Sequence, residues 1–302
     1  MDHHTIMNWD FLIQNKDSLL VSTDTRNLPA GCVFFALHGA NFDGNKFAKQ
    51  ALEQGASLAV IDDPEVYLQA QRSSSPQGDL QGAADLPHLL LVEDTLLALQ
   101  DLARAWRREL GLPIIGVTGT NGKTTTKELL ATVLSTKYNL HYTQGNLNNQ
   151  IGVPLTLLQI TRAHELAIVE MGASHPGDIK ELVEIAEPNY GLITNVGRAH
   201  LEGFGSFEGV KKTKGELYND LASRNCFAFL NTTDENLSEM AKEHNIKVVP
   251  YVKGKVLSCS PMLCVSWYCE TENIWYDVQT NLIGAYNLPN VLSAISVGLH
   301  FD

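Results

Sequence analysis

An α/β fold in two domains is predicted by three features of the sequence. Short apolar runs of strand length alternate along most of the chain with longer amphipathic segments, the pattern of parallel sheets covered by helices. One such run, residues 114–118, enters a glycine-rich turn and leaves as an apolar-periodic segment, which is strand, loop and helix in a P-loop-type arrangement. A long amphipathic stretch is broken at Gly111-Leu112-Pro113, a strong stop for a helix and a natural boundary. The expected organisation is a small N-terminal α/β domain over residues 1–111 and a central domain with a mostly parallel sheet over 112–302, as the length of 302 residues allows.

In chain order, residues 7–14 read as a short helix and 19–21 as a strand running into Ser22, Thr23, Asp24, Thr25 and Arg26. That polar turn at a strand end has two readings, a diphosphate grip through hydroxyl and guanidinium or an ordinary surface turn. Residues 32–37 form a β-rich run, 41–47 a polar loop entering a helix that Gly55 stops, and 58–61 a buried-type strand. Residues 69–86, rich in Gln, Ser, Gly and Ala, read as a loop without chemistry. A strand at 88–92 follows, and Asp94 is placed to cap a helix reaching Leu110.

In the central region, Gly116, Gly119 and Gly122 let the backbone approach a phosphate, Lys123 can reach terminal phosphates, and Thr124 can offer a hydroxyl to Mg²⁺. The helix that follows adds unpaired N–H groups and a positive dipole end. These residues predict a nucleoside triphosphate site. The common pattern Gly-x-x-x-x-Gly-Lys-[Ser/Thr] would need glycine at 117, where the chain has Val117, so an unrelated P-loop kinase is disfavoured.

A strand at 138–142 leads to the polar loop 143–150, and a buried strand at 166–169 delivers Glu170 at its end, as a Mg²⁺ ligand or as a cap for the helix starting near Pro176. A strand at 190–196 precedes a helix from Phe207 to about Leu221 carrying Lys211, Lys212, Lys214 and Glu216, lysines that by themselves read as a solvated face. Residues 225–230 form a strand, 246–283 read as antiparallel strands at the sheet edge, and an apolar helix runs from near Asn287 to the last residues.

The bulk numbers narrow the function classes. Hydrophobic content of 44% and charged content of 19% describe a globular chain with a real core. With 22 Lys+Arg against 34 Asp+Glu, the net charge of -12 argues against a nucleic-acid or anionic-membrane binder. Residues 1–12 lack a signal-peptide pattern, and no stretch approaches the ~20 apolar residues of a membrane span. The five cysteines are odd in number and lack Cys-x-x-Cys spacing, so reduced thiols and a cytoplasmic location are expected. The five-residue steps of Cys259, Cys264 and Cys269 would turn neighbours to opposite faces of a strand, against a zinc site.

Several stretches together resemble the Mur ligase family. They are Thr23-Asp24-Thr25-Arg26 with residues 34–37 and Asp43-Gly44; residues 116–125, whose glycine spacing is shared with folylpolyglutamate synthases; 145–154; Glu170-Met171-Gly172-Ala173; 200–206; Lys214-Gly215-Glu216-Leu217-Tyr218; and 284–290. The resemblance covers nearly the whole chain in family order. It implies a first domain that holds the UDP part of a peptidoglycan precursor near Ser22, Thr23, Asp24 and Arg26, with Asn146 and Asn149 also on the substrate.

By the same resemblance the second domain is an ATPase in which Gly119, Thr120, Asn121, Gly122, Lys123, Thr124 and Thr125 hold the phosphates and Asn287 contacts adenine. Thr124 and Glu170 would serve one Mg²⁺ and His200 a second, with Lys214 as an N6-carboxylysine, so that Lys123, Glu170, His200 and Lys214 form the catalytic set. A carbamate makes sense beside two Mg²⁺ ions, because an ammonium there is repelled while a carbamate offers the hard oxygens Mg²⁺ prefers.

The implied reaction is ATP-dependent joining of D-alanyl-D-alanine to a UDP-N-acetylmuramoyl-tripeptide through an acyl phosphate, in a monomer acting on small molecules. Family members carry a third, C-terminal Rossmann-like domain that closes over the ATP site. No stretch of this sequence reads as that domain, so the chain by itself is expected to be inactive. Two alternatives stand beside this reading: a ligase adding the third peptide residue or a folylpolyglutamate synthase, and a non-catalytic nucleotide-binding module.

Overall fold

The computed structural model describes residues 7–39, 42–73, 88–197 and 201–302. The chain divides into two compact units, one formed by Met1–Leu110 with Leu157–Thr161 and the other by Gly111–Thr156 with Arg162–Asp302.

In the first unit, α1 (Asp10–Ile13) precedes β1 (Val21–Ser22), β2 (Val33–Phe35), the small antiparallel pair β3 (His38–Gly39) and β4 (Phe42–Asp43), α2 (Ala48–Glu53), β5 (Leu58–Ile61), α3 (Pro64–Ser73), β6 (Leu89–Leu91) and α4 (Thr95–Leu110). Strands β1, β2, β5 and β6 lie side by side in that order, each pair parallel. All three residues of β2 are buried, so both faces of the sheet are covered, as parallel strands require. Phe34, Ala36, Ala48, Ala51, Ala59 and Ile61 form the core on one side. Gly44 is obligatory: a Cβ there would stand 2.4 Å from the Leu37 carbonyl oxygen.

Part of the expected 69–86 loop is helix. Asp63 accepts the N–H of Glu65 at 2.8 Å, and Pro64 occupies the first helical position. This start carries the Gln-Ala-Gln run, made of good helix formers, through Ser73. The remainder of that expected loop, residues 74–86, lies outside the described residues.

The second unit begins with β7 (Ile114–Thr118) and continues through α5 (Lys123–Leu134), β8 (Leu140–Tyr142), α6 (Gly152–Leu158), β9 (Leu166–Glu170), α7 (Asp178–Ala186), β10 (Tyr190–Ile193), α8 (Leu201–Phe204), α9 (Phe207–Ser223), β11 (Phe227–Leu230), α10 (Glu235–Glu243) and β12 (Lys247–Pro250). These strands make one six-stranded sheet of order β12-β11-β10-β7-β9-β8, with every pair parallel. Strand β7 sits between β10 and β9, so the connections from β7 and β9 leave in different directions and the loops beyond their carboxyl ends surround one crevice.

Alternation along the strands assigns the two faces. Leu192, Val117 and Ile115 pack with Leu130 and Leu134 of α5 and with Ala294 and Val297 of α11 (Leu288–His300). On the other face Gly191 of β10 leaves room for α9, since a Cβ there would come within 2.7 Å of Leu221. Helix α11 also lies close against α5: Gly298 has no space for a Cβ, which would stand 2.6 Å from Val133. Its last turn is fastened by Tyr138, whose hydroxyl donates to the Phe301 carbonyl at 2.6 Å, and by the Phe301 ring set edge-on to Tyr138 and Tyr190.

The expected antiparallel strands are present but do not edge the large sheet. Strands β13 (Gly254–Ser258), β14 (Cys264–Cys269) and β15 (Ile274–Gln279) form a separate three-stranded antiparallel sheet. Leu263 and Val265 close a small core with Val291 of α11. The edge place on the large sheet goes to β12, which follows α10 as a β-α-β crossover and therefore pairs parallel with β11.

The first unit is tied together by Asp62, whose carboxylate takes the Thr95 N–H (3.1 Å), the Thr95 hydroxyl (2.9 Å) and the Asn45 amide (2.8 Å), with His38 Nδ1 at 3.1 Å. Burial would raise its pKa, but the hydrogen bonds from Asn45 and Thr95 and the nearby His38 outweigh burial and leave it below the usual carboxylate value. Asp62→Ala is expected to cost about 1–3 kcal/mol at neutral pH, by orphaning the buried Thr95 donors. A folded-state pKa below the unfolded value of about 3.9 means the carboxylate's contribution is complete above that pH and is lost as pH falls through the folded value. Urea unfolding of both chains between pH 7 and pH 3 checks this, because the gap between them should narrow below about pH 4.

Candidate nucleotide and metal site

Strand β7 ends at Thr118, and the next four residues turn the chain into α5. The turn depends on two glycines with positive φ, Gly119 at 145° and Gly122 at 78°. At Gly119 a Cβ would also collide with Thr194 Oγ1, 2.0 Å away. The loop is strapped to the exit of β10: Thr120 N–H donates to the Asn195 carbonyl (3.0 Å), Asn121 N–H to Asn195 Oδ1 (3.1 Å), and the Thr194 hydroxyl to the Asn121 carbonyl (2.6 Å).

Gly122 caps α5 without a side chain, which leaves the first helical N–H groups and the dipole directed at an anion. Lys123 curls back over the loop, its Nζ donating to the carbonyls of Gly119 (3.0 Å) and Thr120 (3.2 Å). Burial lowers its pKa while the Glu170 charge pushes it back up, with the net shift downward. A glycine cradle that a Cβ would fill, a helix N-terminus and a lysine over the loop together fit a polyphosphate.

Glu170, at the end of β9, is 1% exposed. Its carboxylate accepts from the Thr124 hydroxyl (3.1 Å to Oε2, 3.3 Å to Oε1) and from Asn148 Nδ2 (2.9 Å), while its N–H donates to Thr143 Oγ1 (2.9 Å). It does not cap α7. That task falls to Glu216, which accepts the N–H groups of Gly177 (2.9 Å) and Lys180 (2.8 Å). Among the described residues no three His, Cys, Asp or Glu side chains form a ready metal cluster. The oxygens here are those of a carboxylate and a hydroxyl, hard ligands of the kind Mg²⁺ takes in small number alongside phosphate oxygens. His200 lies outside the described residues.

The lysines of α9 are not one solvated face. Lys211 pairs with Glu239 at 2.7 Å and Lys212 is exposed, but Lys214 is only 2% exposed. Lys214 Nζ lies 5.6 Å from the centre of the Phe204 ring, with no carboxylate within ion-pair distance among the described residues. Burial, helped by the positive charge of Lys123, pushes its pKa down to about 8 against the pull of Asp178 and Glu216.

Two hollows flank the loop. One of about 660 Å³ is bounded by Gly122, Thr125, Asn195, Asp234, Asn287 and Asn290. Asn287 is held there by its amide, which donates to the Ile283 carbonyl (3.0 Å), and by Asn290, which donates to its Oδ1 (2.9 Å). The other, of about 270 Å³, brings Lys123 together with Asn148, Asn149, Ser174 and Asp178. Asn149 is occupied as a helix cap, accepting the Gly152 N–H at 2.8 Å, and Asn146 is exposed.

In the first unit, Thr23, Asp24 and Arg26 line a hollow of about 510 Å³ with Phe34, Phe42 and Phe47, the last two stacked 5.5 Å apart. Ser22 braces the turn through its hydroxyl, which donates to the Asp24 carbonyl at 2.9 Å. Asp24 caps the turn through the Arg26 N–H (2.9 Å) and grips the same residue's guanidinium at 2.5 Å. That side-chain bond, with the backbone one, holds the Asp24 carboxyl down at about 2. The Arg26 side chain is 88% exposed.

Asn148, Thr143, Thr194 and Asn195 were not singled out by the sequence. Asn148 belongs to the same Asn-rich loop as Asn146 and Asn149, and spacing alone does not say which of three asparagines turns toward Glu170. Thr194 and Asn195 fall inside the run 190–196 that reads as strand, whereas β10 ends at Ile193 and leaves both in the loop that holds the glycine turn.

Comparison with known proteins adds the lineage. Residues 20–107 match the family model described as "Mur ligase family, catalytic domain", and 117–298 that described as "Mur ligase middle domain". The chain is 41% identical over 304 residues to the UDP-N-acetylmuramoyl-tripeptide--D-alanyl-D-alanine ligase of Escherichia coli, covering 96% of this chain and 63% of that one. It is 40% identical over 281 residues to the Synechocystis sp. protein of the same name, covering 92% and 57%. Among solved structures it resembles MurF from Acinetobacter baumannii, with TM-score 0.76, 29% identity and coverage of 93% and 59%. It also resembles the Thermotoga maritima MurF ligase in complex with ADP, with TM-score 0.75, 27% identity and coverage of 94% and 63%. The chain thus spans about three fifths of the length of these relatives. Because the middle-domain match alone takes in residues 117–298 of the 302, the chain belongs to the Mur ligase family.

Proposed function

We propose that this chain carries the precursor-binding and ATP-binding parts of an ATP-dependent amide ligase of peptidoglycan synthesis, the one that joins D-alanyl-D-alanine to a UDP-N-acetylmuramoyl-tripeptide. The observation that carries this reading is the 41% identity, over 304 residues spanning both units, to a ligase of that name. Residues 1–111 form the UDP-precursor domain and 112–302 the ATPase domain. The protein acts in the cytoplasm as a monomer on small molecules. No helix among the described residues is long and apolar enough to cross a membrane.

The chemistry follows from the geometry. The N–H groups at 119–125 and the dipole of α5 bind the ATP phosphates, and Lys123, released from the Gly119 and Thr120 carbonyls, balances charge on the transferring γ-phosphoryl. Mg²⁺, when bound, supplies positive charge to the phosphate oxygens. Thr124 and Glu170 would hold one ion, while His200 and a carbamylated Lys214 would hold a second. Asn287 reads adenine from the wall of the larger hollow. In the first unit Ser22, Thr23, Asp24 and Arg26 hold the UDP part, and Asn146 and Asn149 meet the rest of the precursor. Its terminal carboxylate attacks the γ-phosphorus, ADP leaves, and the amine of D-alanyl-D-alanine displaces phosphate from the acyl phosphate to form the amide.

The Lys214 environment supports the modification. A lysine nitrogen adds to CO₂ only when neutral, forming an N–C bond and releasing a proton. A pKa near 8 makes that form accessible close to neutral pH. The burial that disfavours an ammonium would equally disfavour a lone anion, so the carbamate depends on metal ions to balance it.

Three outcomes are expected. Calorimetry on the 302-residue chain should detect binding of ATP with Mg²⁺ and of UDP-N-acetylmuramoyl-tripeptide, with the dipeptide precursor and folates binding more weakly. Lys123→Ala should lower ATP affinity on the order of ten- to a hundredfold, the worth of about 1.5–3 kcal/mol for a charged hydrogen bond. Unchanged ATP affinity in that variant, or preference for the dipeptide precursor, would overturn the assignment. Carbon-13 NMR in ¹³CO₂ should show a carbamate signal that grows with pH through about 8 at fixed dissolved CO₂. It should vanish in Lys214→Ala and persist in Lys211→Ala.

A further inference from the structure

Lys127 lies one helical turn beyond Lys123, and no step described above uses it. It is 1% exposed, an unusual setting for an ammonium. Its Nζ donates to the Thr143 carbonyl at 2.8 Å, stands 3.1 Å from Glu128 Oε1 and lies 5.8 Å from the centre of the Tyr142 ring. Stability alone does not account for such a group, since its carboxylate neighbour Glu128 is 55% exposed and such a pair returns little for taking an ammonium out of water.

What it touches is more informative. Thr143 is the residue whose hydroxyl oxygen accepts the Glu170 N–H at 2.9 Å, while its own N–H donates to the Ile168 carbonyl at 3.0 Å. Thr124 and Lys127 are three apart on α5 and so share a face of the helix. Thr124 reaches the Glu170 carboxylate directly, and Lys127 reaches the Glu170 backbone through Thr143. Helix α5 thus grips the end of β9 at two levels, one turn apart, with the same helix that presents its N-terminus to the phosphates.

We infer that Lys127 is a positioning residue for the metal carboxylate. By fixing Thr143 it sets the height and direction of Glu170 relative to the phosphate loop, so that the Mg²⁺ bound by Glu170 and Thr124 falls within reach of the nucleotide phosphates. The inference rests on the reading of Glu170 as a Mg²⁺ ligand. Groups that orient a metal ligand from behind are worth about 10–100-fold in metal affinity when removed.

The test is calorimetric titration of an ATP analogue into the 302-residue chain, at several Mg²⁺ concentrations and in EDTA, for wild type, Lys127→Met, Thr143→Val, Thr143→Ser, their Met/Val double variant and Glu170→Gln. Lys127→Met and Thr143→Val should each raise the Mg²⁺ concentration for half-maximal enhancement of binding about tenfold or more, with affinity in EDTA unchanged. The double variant should be no worse than the worse single one, since both act through one connection. Thr143→Ser, which keeps the hydroxyl acceptor, should retain the wild-type Mg²⁺ response. Equal loss in EDTA and in Mg²⁺, or a lower melting temperature with a normal Mg²⁺ response, would overturn the inference and leave Lys127 a packing residue. Should Lys127→Met not fold, the contrast between Thr143→Val and Thr143→Ser decides the matter by the same criteria. A normal Mg²⁺ response in Glu170→Gln would instead remove the metal assignment itself, and this inference with it.

Discussion

A carboxylate can stand almost fully buried at the floor of a cleft only when every oxygen is met, and the second unit is arranged around meeting those of Glu170. Its donors come from two places, Thr124 on α5 and Asn148 on the loop after β8. Without a cation, these neutral donors are what hold the charge. With one, they become its ligands or its supports. The parallel order that puts β7 beside β9 is what makes this possible, because it brings the start of α5 and the end of β9 to the same rim.

The same rim treats two lysines differently through the partners it gives them. Lys123 keeps carbonyl partners from its own loop, and the opposing charge of Glu170 works against the burial that lowers its pKa. Lys214 has an aromatic ring and distant carboxylates, with the positive charge of Lys123 adding to the cost of its ammonium. One residue is suited to meeting phosphate, the other to shedding its proton. Lys211, a turn earlier on α9, has its carboxylate partner and none of this pressure.

Much of this was legible in the sequence where chemistry and chain geometry demand the same residue. The glycines at 119 and 122 are required by positive φ and by the absence of space for a Cβ, so their spacing was visible before any coordinates. The buried strands, the capping Asp94 and the helix of Lys214 were legible for similar reasons. The choice among Asn146, Asn148 and Asn149 was not, since it depends on how a loop folds against β9. Nor was the role of Glu216, a cap for a helix 36 residues away in sequence. The hairpins after Pro250 read correctly as antiparallel strands, but which sheet they join is set by packing on α11, to which hydrophobic alternation is blind. Helix α3 was hidden by its composition, which resembles a linker until the Asp63-Pro64 start is taken into account.

Helices α5 and α11 approach one another so closely that Gly298 has no room for a side chain against Val133, and their N-terminal ends meet beside the larger hollow, where a Cβ on Gly122 would stand 3.1 Å from the Asn290 amide. With its far end fastened at Phe301, α11 behaves as one arm of a caliper and α5 as the other. The jaw opening is therefore gauged at Gly298, about 12 Å along the helix from Asn290 at roughly 1.5 Å per residue. Bulk added at that seam would reach the larger hollow as a change of aperture, without altering any group that lines it.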